Sequence, residues 1–245
     1  MLPDLGIAIE YNGSRWHNES RVGELGHLQK TQAVSDFGYR LIHITDQEWI
    51  AKPDIVKSRL KSILGFSNRI FARKTEVRHI DYPYQFLMDN HIQGAGSISK
   101  YNLGLFYEGV LSAVLTFSKP RFTSGYDYEL VRYCSKTGTT IVGGASKLLK
   151  AFRSENIGSI ISYSDKRWSE GTLYKAIGFT FSHSSKPSYR YIKYKYSLSR
   201  YQCQKHLLQQ LVPEHYDINK SESEIMAAAG YSKVFDCGTD VWTLK

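Results

Sequence analysis

The chain of 245 residues carries 32 lysines and arginines against 23 acidic residues, a formal net charge of +9, with 42% hydrophobic content and 18 tyrosines. Such an apolar share excludes a disordered chain, and no apolar run approaches the roughly 18–20 residues that span a bilayer. Cys134, Cys203 and Cys237 are far apart and form no CxxC pair, which excludes a disulfide framework and a cysteine zinc site. The N-terminus lacks the layout of a signal peptide, so a soluble cytoplasmic protein of two domains is expected, with no membrane partner. A basic, tyrosine-rich surface suits a polyanion.

In chain order, "LGIAIE" (5–10) reads as a short buried strand closed by the Asn12-Gly13 turn. "HLQKTQAVSDFG" (27–38) has Leu28, Val34 and Phe37 at helical spacing, with Gly38 as its stop. "YRLIHIT" (39–45) is a second strand and "PDIVKSRLKSILG" (53–65) a second helix, with Pro53 at its start. Residues 69–88 read as a connection. "NLGLFYEGVLSAVLTFSKPR" (102–121) is a β-hairpin turning at Glu108-Gly109. A strand at 128–134, a helix at 143–155 and a strand at 159–165 follow. "YRYIKYKYSLSRY" (189–201) alternates aromatic and basic residues. "SESEIMAAAGY" (221–231) starts a helix with Ser221 as N-cap and Glu224 three residues on.

Near the N-terminus, "IAIEYNGSRWH" ends an apolar strand in Glu10, followed by a turn and then Trp16-His17; His27 and Lys30 share one face of the next helix. A strand-end carboxylate suits a divalent metal held against a phosphodiester, and a histidine suits general acid, base or ligand duty near neutral pH. Glu48 offers a further carboxylate. A solvated strand-edge glutamate with incidental histidines is the alternative reading of these residues.

This stretch, continued by "HLQKTQAVSDFGYRLIHITDQEW", resembles the very-short-patch-repair-like branch of the PD-(D/E)xK nucleases, a group that includes phage homing endonucleases. The resemblance covers about residues 1–65. It implies a restriction-endonuclease-like α/β fold, Mg²⁺ or Mn²⁺ as cofactor, and Glu10, His17, His27 and Lys30 as catalytic residues. It also implies a first-strand Asp in an Asp-x-x-x-Pro run, which alignment on Pro3 places upstream of Met1; Asp4 is the nearby carboxylate and, with Glu10, an expected metal ligand. The chain is expected to be an N-terminally truncated nuclease domain (1–80), residing in the host cytoplasm if phage-encoded.

In the second half, the glycine pair of "TIVGGASKLLKAF" (140–152) lies between a strand and a helix. Gly143, Gly144, Ala145 and Ser146 either cradle a phosphate on free helix amides or make a tight turn. With the hairpin before it and "SIISYSDKRWSEGTLYKAIGF" after it, residues 92–195 resemble the acyl-CoA N-acetyltransferase-like (GNAT-like) fold, including the phage DNA-modifying Mom group. If the block transfers acyl groups, Tyr163, Ser164, Asp165 or Tyr174 is the acid or base. Lys147-Leu148 fills a usual small-residue position of the phosphate loop, so acyl-CoA is not an expected partner.

The expected whole is an α/β (α+β) protein, a restriction-endonuclease-like half joined to a GNAT-like half (81–245), cleaving double-stranded DNA with Mg²⁺. Arg15, Trp16, Lys166, Arg167, Trp168, Arg190 and Lys193, with Lys195 and Arg200 in the same stripe, are the expected DNA contacts. The alternatives are an acyl-CoA-dependent acyltransferase acting on DNA or an amine, and a non-catalytic DNA-binding remnant. The oligomeric state is open.

Overall fold

A computed structural model describes residues 1–194 and 196–245; Lys195 of the expected basic stripe lies outside the described residues. The chain is mixed α/β and divides into two compact units, both discontinuous. One comprises residues 1–51, 165–168 and 185–239; the other comprises 52–164, 169–184 and 240–245. Residue 80, the expected domain boundary, falls inside the second unit.

The first unit begins with a 3-10 turn at Pro3–Leu5 and strand β1 (Ile7–Asn12), then helices α1 (Glu19–Val22) and α2 (Gly26–Asp36), strand β2 (Arg40–Thr45) and helix α3 (Asp46–Ala51). β1 and β2 pair in parallel, with Glu10 opposite His43. This follows the two expected apolar runs. Of the expected α2 face, Leu28 and Val34 are half-buried but Phe37 is 82% exposed, and the one fully buried residue of the helix is His27.

The second unit starts with α4 (Pro53–Ile63), whose buried Ile55 and Val56 lie on one face. The expected connection contains β3 (Asn68–Phe71), β4 (Glu76–His79) and α5 (Tyr84–Asn90). β5 (Tyr101–Tyr107) and β6 (Val110–Ser118) form the predicted hairpin, where Glu108 and Gly109 both take positive φ, as a two-residue turn of this kind requires. β7 (Tyr128–Ser135), β8 (Thr139–Val142), α6 (Gly144–Glu155), β9 (Ile160–Asp165), α7 (Thr172–Ala176) and β10 (Thr180–Ser184) follow. α6 buries Ala145, Leu148, Leu149 and Phe152, one stripe at helical spacing, and Phe152 stacks on Phe117 with ring centroids 3.7 Å apart.

The chain then returns to the first unit as β11 (Tyr189–Lys193), β12 (Tyr196–Ser199), α8 (Lys205–Leu211), α9 (Glu222–Ala228) and β13 (Ser232–Phe235). β11 lies between β12 and β13 in an antiparallel sheet. Ser221 and Glu224 close the predicted capping box of α9. β14 (Thr239–Leu244) completes the second unit's mixed sheet of seven strands, ordered β10-β14-β9-β7-β6-β5-β4. Neighbours are antiparallel from β4 to β7, and the α6 crossover makes β9 parallel to β7. Among the described residues no helix is long and apolar enough to cross a membrane.

Candidate functional site

Within the first unit, parallel pairing of β1 and β2 sets Glu10 beside His43, and α2 brings Lys30, His27 and Thr31 over the same edge. Lys30 Nζ donates to Glu10 Oε1, and His43 Nδ1 lies 3.2 Å from Glu10 Oε2. Burial pushes the Glu10 carboxyl up, but His43 and Lys30 outweigh it and hold the group down at about 2. His17 Nδ1 is 3.1 Å from His27 Nε2 and 2.9 Å from the Asn12 amide, and the two imidazoles stack nearly parallel. His27 Nδ1 donates to the Phe235 carbonyl at 2.7 Å, so the neutral ring presents a lone pair at Nε2. Burial lowers the pKa of both His17 and His27. Thr31 Oγ1 donates to the His27 carbonyl and meets His43 Nε2 at 2.8 Å.

The structure therefore gathers Glu10, His17, His27 and Lys30, and adds His43, Asn12 and Thr31. His43 was legible only as a polar interruption of an apolar strand. Asp4 is not gathered: it sits on the turn before β1, at the end of the strand away from Asn12. Glu48 instead faces Arg167, whose Nη2 contacts Glu48 Oε1 at 2.9 Å and Asp165 Oδ2 at 2.7 Å.

Two expected DNA contacts are corrected by this burial. Burial works against the Arg167 guanidinium, but Asp165 and Glu48 hold it charged, and Trp168 is only 3% exposed. Neither presents a free face to a phosphate. Lys193 donates to the Ala229 carbonyl, Arg190 turns onto Ser197, and Lys166 is half-buried. Trp16 is exposed beneath Arg15, a cation resting on an indole.

In the second unit, the β7 and β9 ladder holds Tyr128 to Ile160, Glu129 to Ile161 and Leu130 to Ser162, then stops although both strands run on. The two strands form a fork. At its base Ser162 Oγ donates to the Leu130 carbonyl at 2.9 Å and meets Tyr174 Oη at 3.1 Å; Tyr174 also reaches the Tyr163 carbonyl at 3.3 Å. Burial raises the Tyr174 pKa, so the phenol keeps its proton. Tyr174 stacks on Trp242, whose indole N–H donates to Ser164. Val131 has no partner in the β6 register and forms a bulge beside the fork.

The glycine pair opens α6 as expected. Gly143 caps it at φ 77°, and a Cβ on Gly144 would lie 2.7 Å from the Tyr133 hydroxyl. That hydroxyl takes the Ala145 amide, Ser146 is exposed, and Lys147 Nζ turns away to the Ala72 and Thr75 carbonyls. Lys147 therefore does not fill the loop.

No family model matches the chain, and no curated protein matches it. Among solved structures it is similar to an acetyltransferase from Bacillus subtilis in complex with CoA, at 13% identity and TM-score 0.40, covering 70% of this chain and 99% of that one. It is also similar to a GNAT family acetyltransferase from Elizabethkingia anophelis with acetyl-CoA bound, at 12% identity and TM-score 0.38, covering 70% and 98%. The expectation of an Mg²⁺- or Mn²⁺-dependent endonuclease or hydrolase acting on duplex DNA is corrected on the geometry of the first unit, and the exclusion of acyl-CoA on that of Lys147, whose ammonium turns away from the glycine loop. The first unit supplies the physical reason. Glu10 already has Lys30 and His43 on its two oxygens, Asp4 is elsewhere, and no group of three metal-ligating side chains occurs among the described residues.

Proposed function

We propose that the second unit is an acyl-CoA-dependent acyltransferase of the GNAT-like fold. The fork between β7 and β9 carries this reading. Strands that separate expose main-chain amide edges, a place for an extended ligand that itself bears amides. Gly143, Gly144 and Ser146 add helix amides whose dipole favours a phosphate. The amide-bearing arm and pyrophosphate of a CoA thioester match these two features, and the residues present fit it. Such a thioester supplies an activated acyl group: its C–S bond breaks, a C–N bond forms to an acceptor amine, the amine gives up a proton and the sulfur gains one.

Tyr174 is the group placed to give that second proton. Its Oη lies at the base of the fork and stays protonated because burial disfavours the phenolate. Ser162 and the Tyr163 carbonyl orient it, and the stacked Trp242 keeps water from its ring face. Acetyl-CoA at 100-fold over its dissociation constant is expected to stabilise the protein by about 2.7 kcal/mol. Tyr174→Phe should keep that thermal shift while slowing thiol release about 100-fold. The absence of a saturable shift sinks the reading.

For the first unit we propose a narrower role. The pair His17 and His27 shares a proton: the Phe235 carbonyl fixes His27 Nδ1 as a donor, which leaves Nε2 to accept from His17 Nδ1 and return the proton to it.

A further inference from the structure

Beside the fork stands a half-buried cation whose neighbouring carboxylate is already engaged. Arg132 projects from β7 on the face away from α6, where Cys134 joins Val114, Leu87 and Ala95. Its Nε donates to the Gly94 carbonyl at 3.2 Å and its Nη1 to the Val131 carbonyl at 2.8 Å, so the guanidinium curls back onto the bulge. Nη2 makes no hydrogen bond among the described residues. The carboxylate acting on it is Glu129, but both Glu129 oxygens are held by Arg121, through Nε, Nη2 and the main-chain amide. Lys52 and Arg59 add positive charge nearby; with Arg132 and burial they oppose protonation of the half-buried His91.

Two further features lie beside Arg132. Thr116 faces Arg132 across the β6 and β7 register, and its hydroxyl is buried with no partner. Gly96, at φ +75°, lies so close that a Cβ there would stand 3.2 Å from Nη2. A hydroxyl buried without a partner is costly, and an anion held by the unused N–H groups of the half-buried Arg132 Nη2 would also satisfy it. The site is also coupled to the proposed reaction centre, since the Arg132 charge and the Tyr174 phenol act on each other.

We propose that Arg132 Nη2 and Thr116 Oγ1 hold the carboxylate of the acyl acceptor, which makes the acceptor class an amine bearing a carboxylate, such as an amino acid. This rests on the acyltransferase reading for what happens at the amine, but the carboxylate site is testable without it. Two donors match the two oxygens of a carboxylate, while a phosphate dianion calls for more.

The test is calorimetric binding of an N-acetyl amino acid, the expected product class, and of its uncharged C-terminal amide, to the full chain. Binding of acetyl-CoA is measured in parallel. The carboxylate form should bind at least 10-fold more tightly than the amide, and Thr116→Val should lose about 10-fold of that affinity. Thr116→Val should also leave acetyl-CoA binding and the fold intact, because it removes a hydroxyl that has no partner. Arg132→Lys should recover part of the affinity that Arg132→Met loses. Equal binding of acid and amide, indifference to both substitutions, or stronger competition by inorganic phosphate than by acetate overturns the proposal. If acetyl-CoA fails to bind while the carboxylate still binds through Arg132 and Thr116, the acyltransferase reading falls and the anion site stands.

Discussion

The imidazole cluster of the first unit and the fork of the second are both rich in polar groups, but they differ in how those groups are satisfied. Around Glu10 most side chains answer one another: Lys30 donates to the carboxylate, His43 lies at ion-pair distance from it, His17 meets His27, and His27 meets the Phe235 carbonyl, while Asn12 Oδ1 and His43 Nδ1 keep no hydrogen-bond partner. At the fork, a strand edge loses its neighbour, a guanidinium nitrogen has no acceptor and a buried hydroxyl has no partner. A closed network is a stabilising or proton-handling arrangement; an open one is built for a ligand. Chemistry-bearing residue types drew the sequence reading to the first, whereas unfulfilled bonding draws the structural reading to the second.

The sharpest way to break this comparison is to open the closed network. Arg167 is held between Glu48 and Asp165, so Arg167→Ala leaves two half-buried carboxylates together without their cation. A loss of about 3–5 kcal/mol in denaturant unfolding is expected. A loss below about 1 kcal/mol would mean that the pair is solvent-screened and that Arg167 is available as a surface cation after all. In the second unit the corresponding weak point is Gly171. It takes φ +75°, and a Cβ there would overlap the Trp242 ring, so Gly171→Ala should cost about 3 kcal/mol through backbone strain and overpacking together. Because Trp242 stacks on Tyr174, the same variant should lower thiol release more than it lowers acetyl-CoA affinity.

Local signals were read correctly where a few adjacent residues decide the outcome. The Glu108-Gly109 hairpin, the glycine pair opening α6, the α9 capping box and the parallel strands flanking α2 are of this kind. Pairings across long stretches were not legible. Residues 165–168 and 185–239 belong with residues 1–51, and no turn or linker residue marks that return. Lys166-Arg167-Trp168 reads as a basic-aromatic surface until Glu48, 119 positions away in sequence, is placed against Arg167. Arg132 drew no notice because a lone arginine in a strand has no motif; only the register that opposes it to Thr116, and the bond that occupies Glu129 with Arg121, single it out.

The last effect concerns acid, and its sign separates the two regions group by group. Burial lowers His17, His27 and, much further, His91, where Arg132, Arg59 and Lys52 add to the effect of burial. An unfolded histidine takes a proton near pH 6.5, so the unfolded chain binds more protons than the folded one below that pH, and stability falls as pH falls. His91 contributes with the same sign, because burial and the neighbouring cations hold its folded pKa well below 6.5. His17 and His27 should stop contributing sooner. Glu10 adds a separate loss: its carboxyl, held at about 2, gives a contribution fully present above pH 4.5 and removed as pH falls from there towards 2. Melting measured from pH 7.5 to 3 should therefore decline in two stages. His91→Gln should flatten most of the first stage, His17→Gln a smaller part of it, and Glu10→Gln only the second. If His91→Gln leaves the first stage unchanged, the buried positive charge around Arg132 does not act on that imidazole, and the electrostatic setting of the fork has to be redrawn.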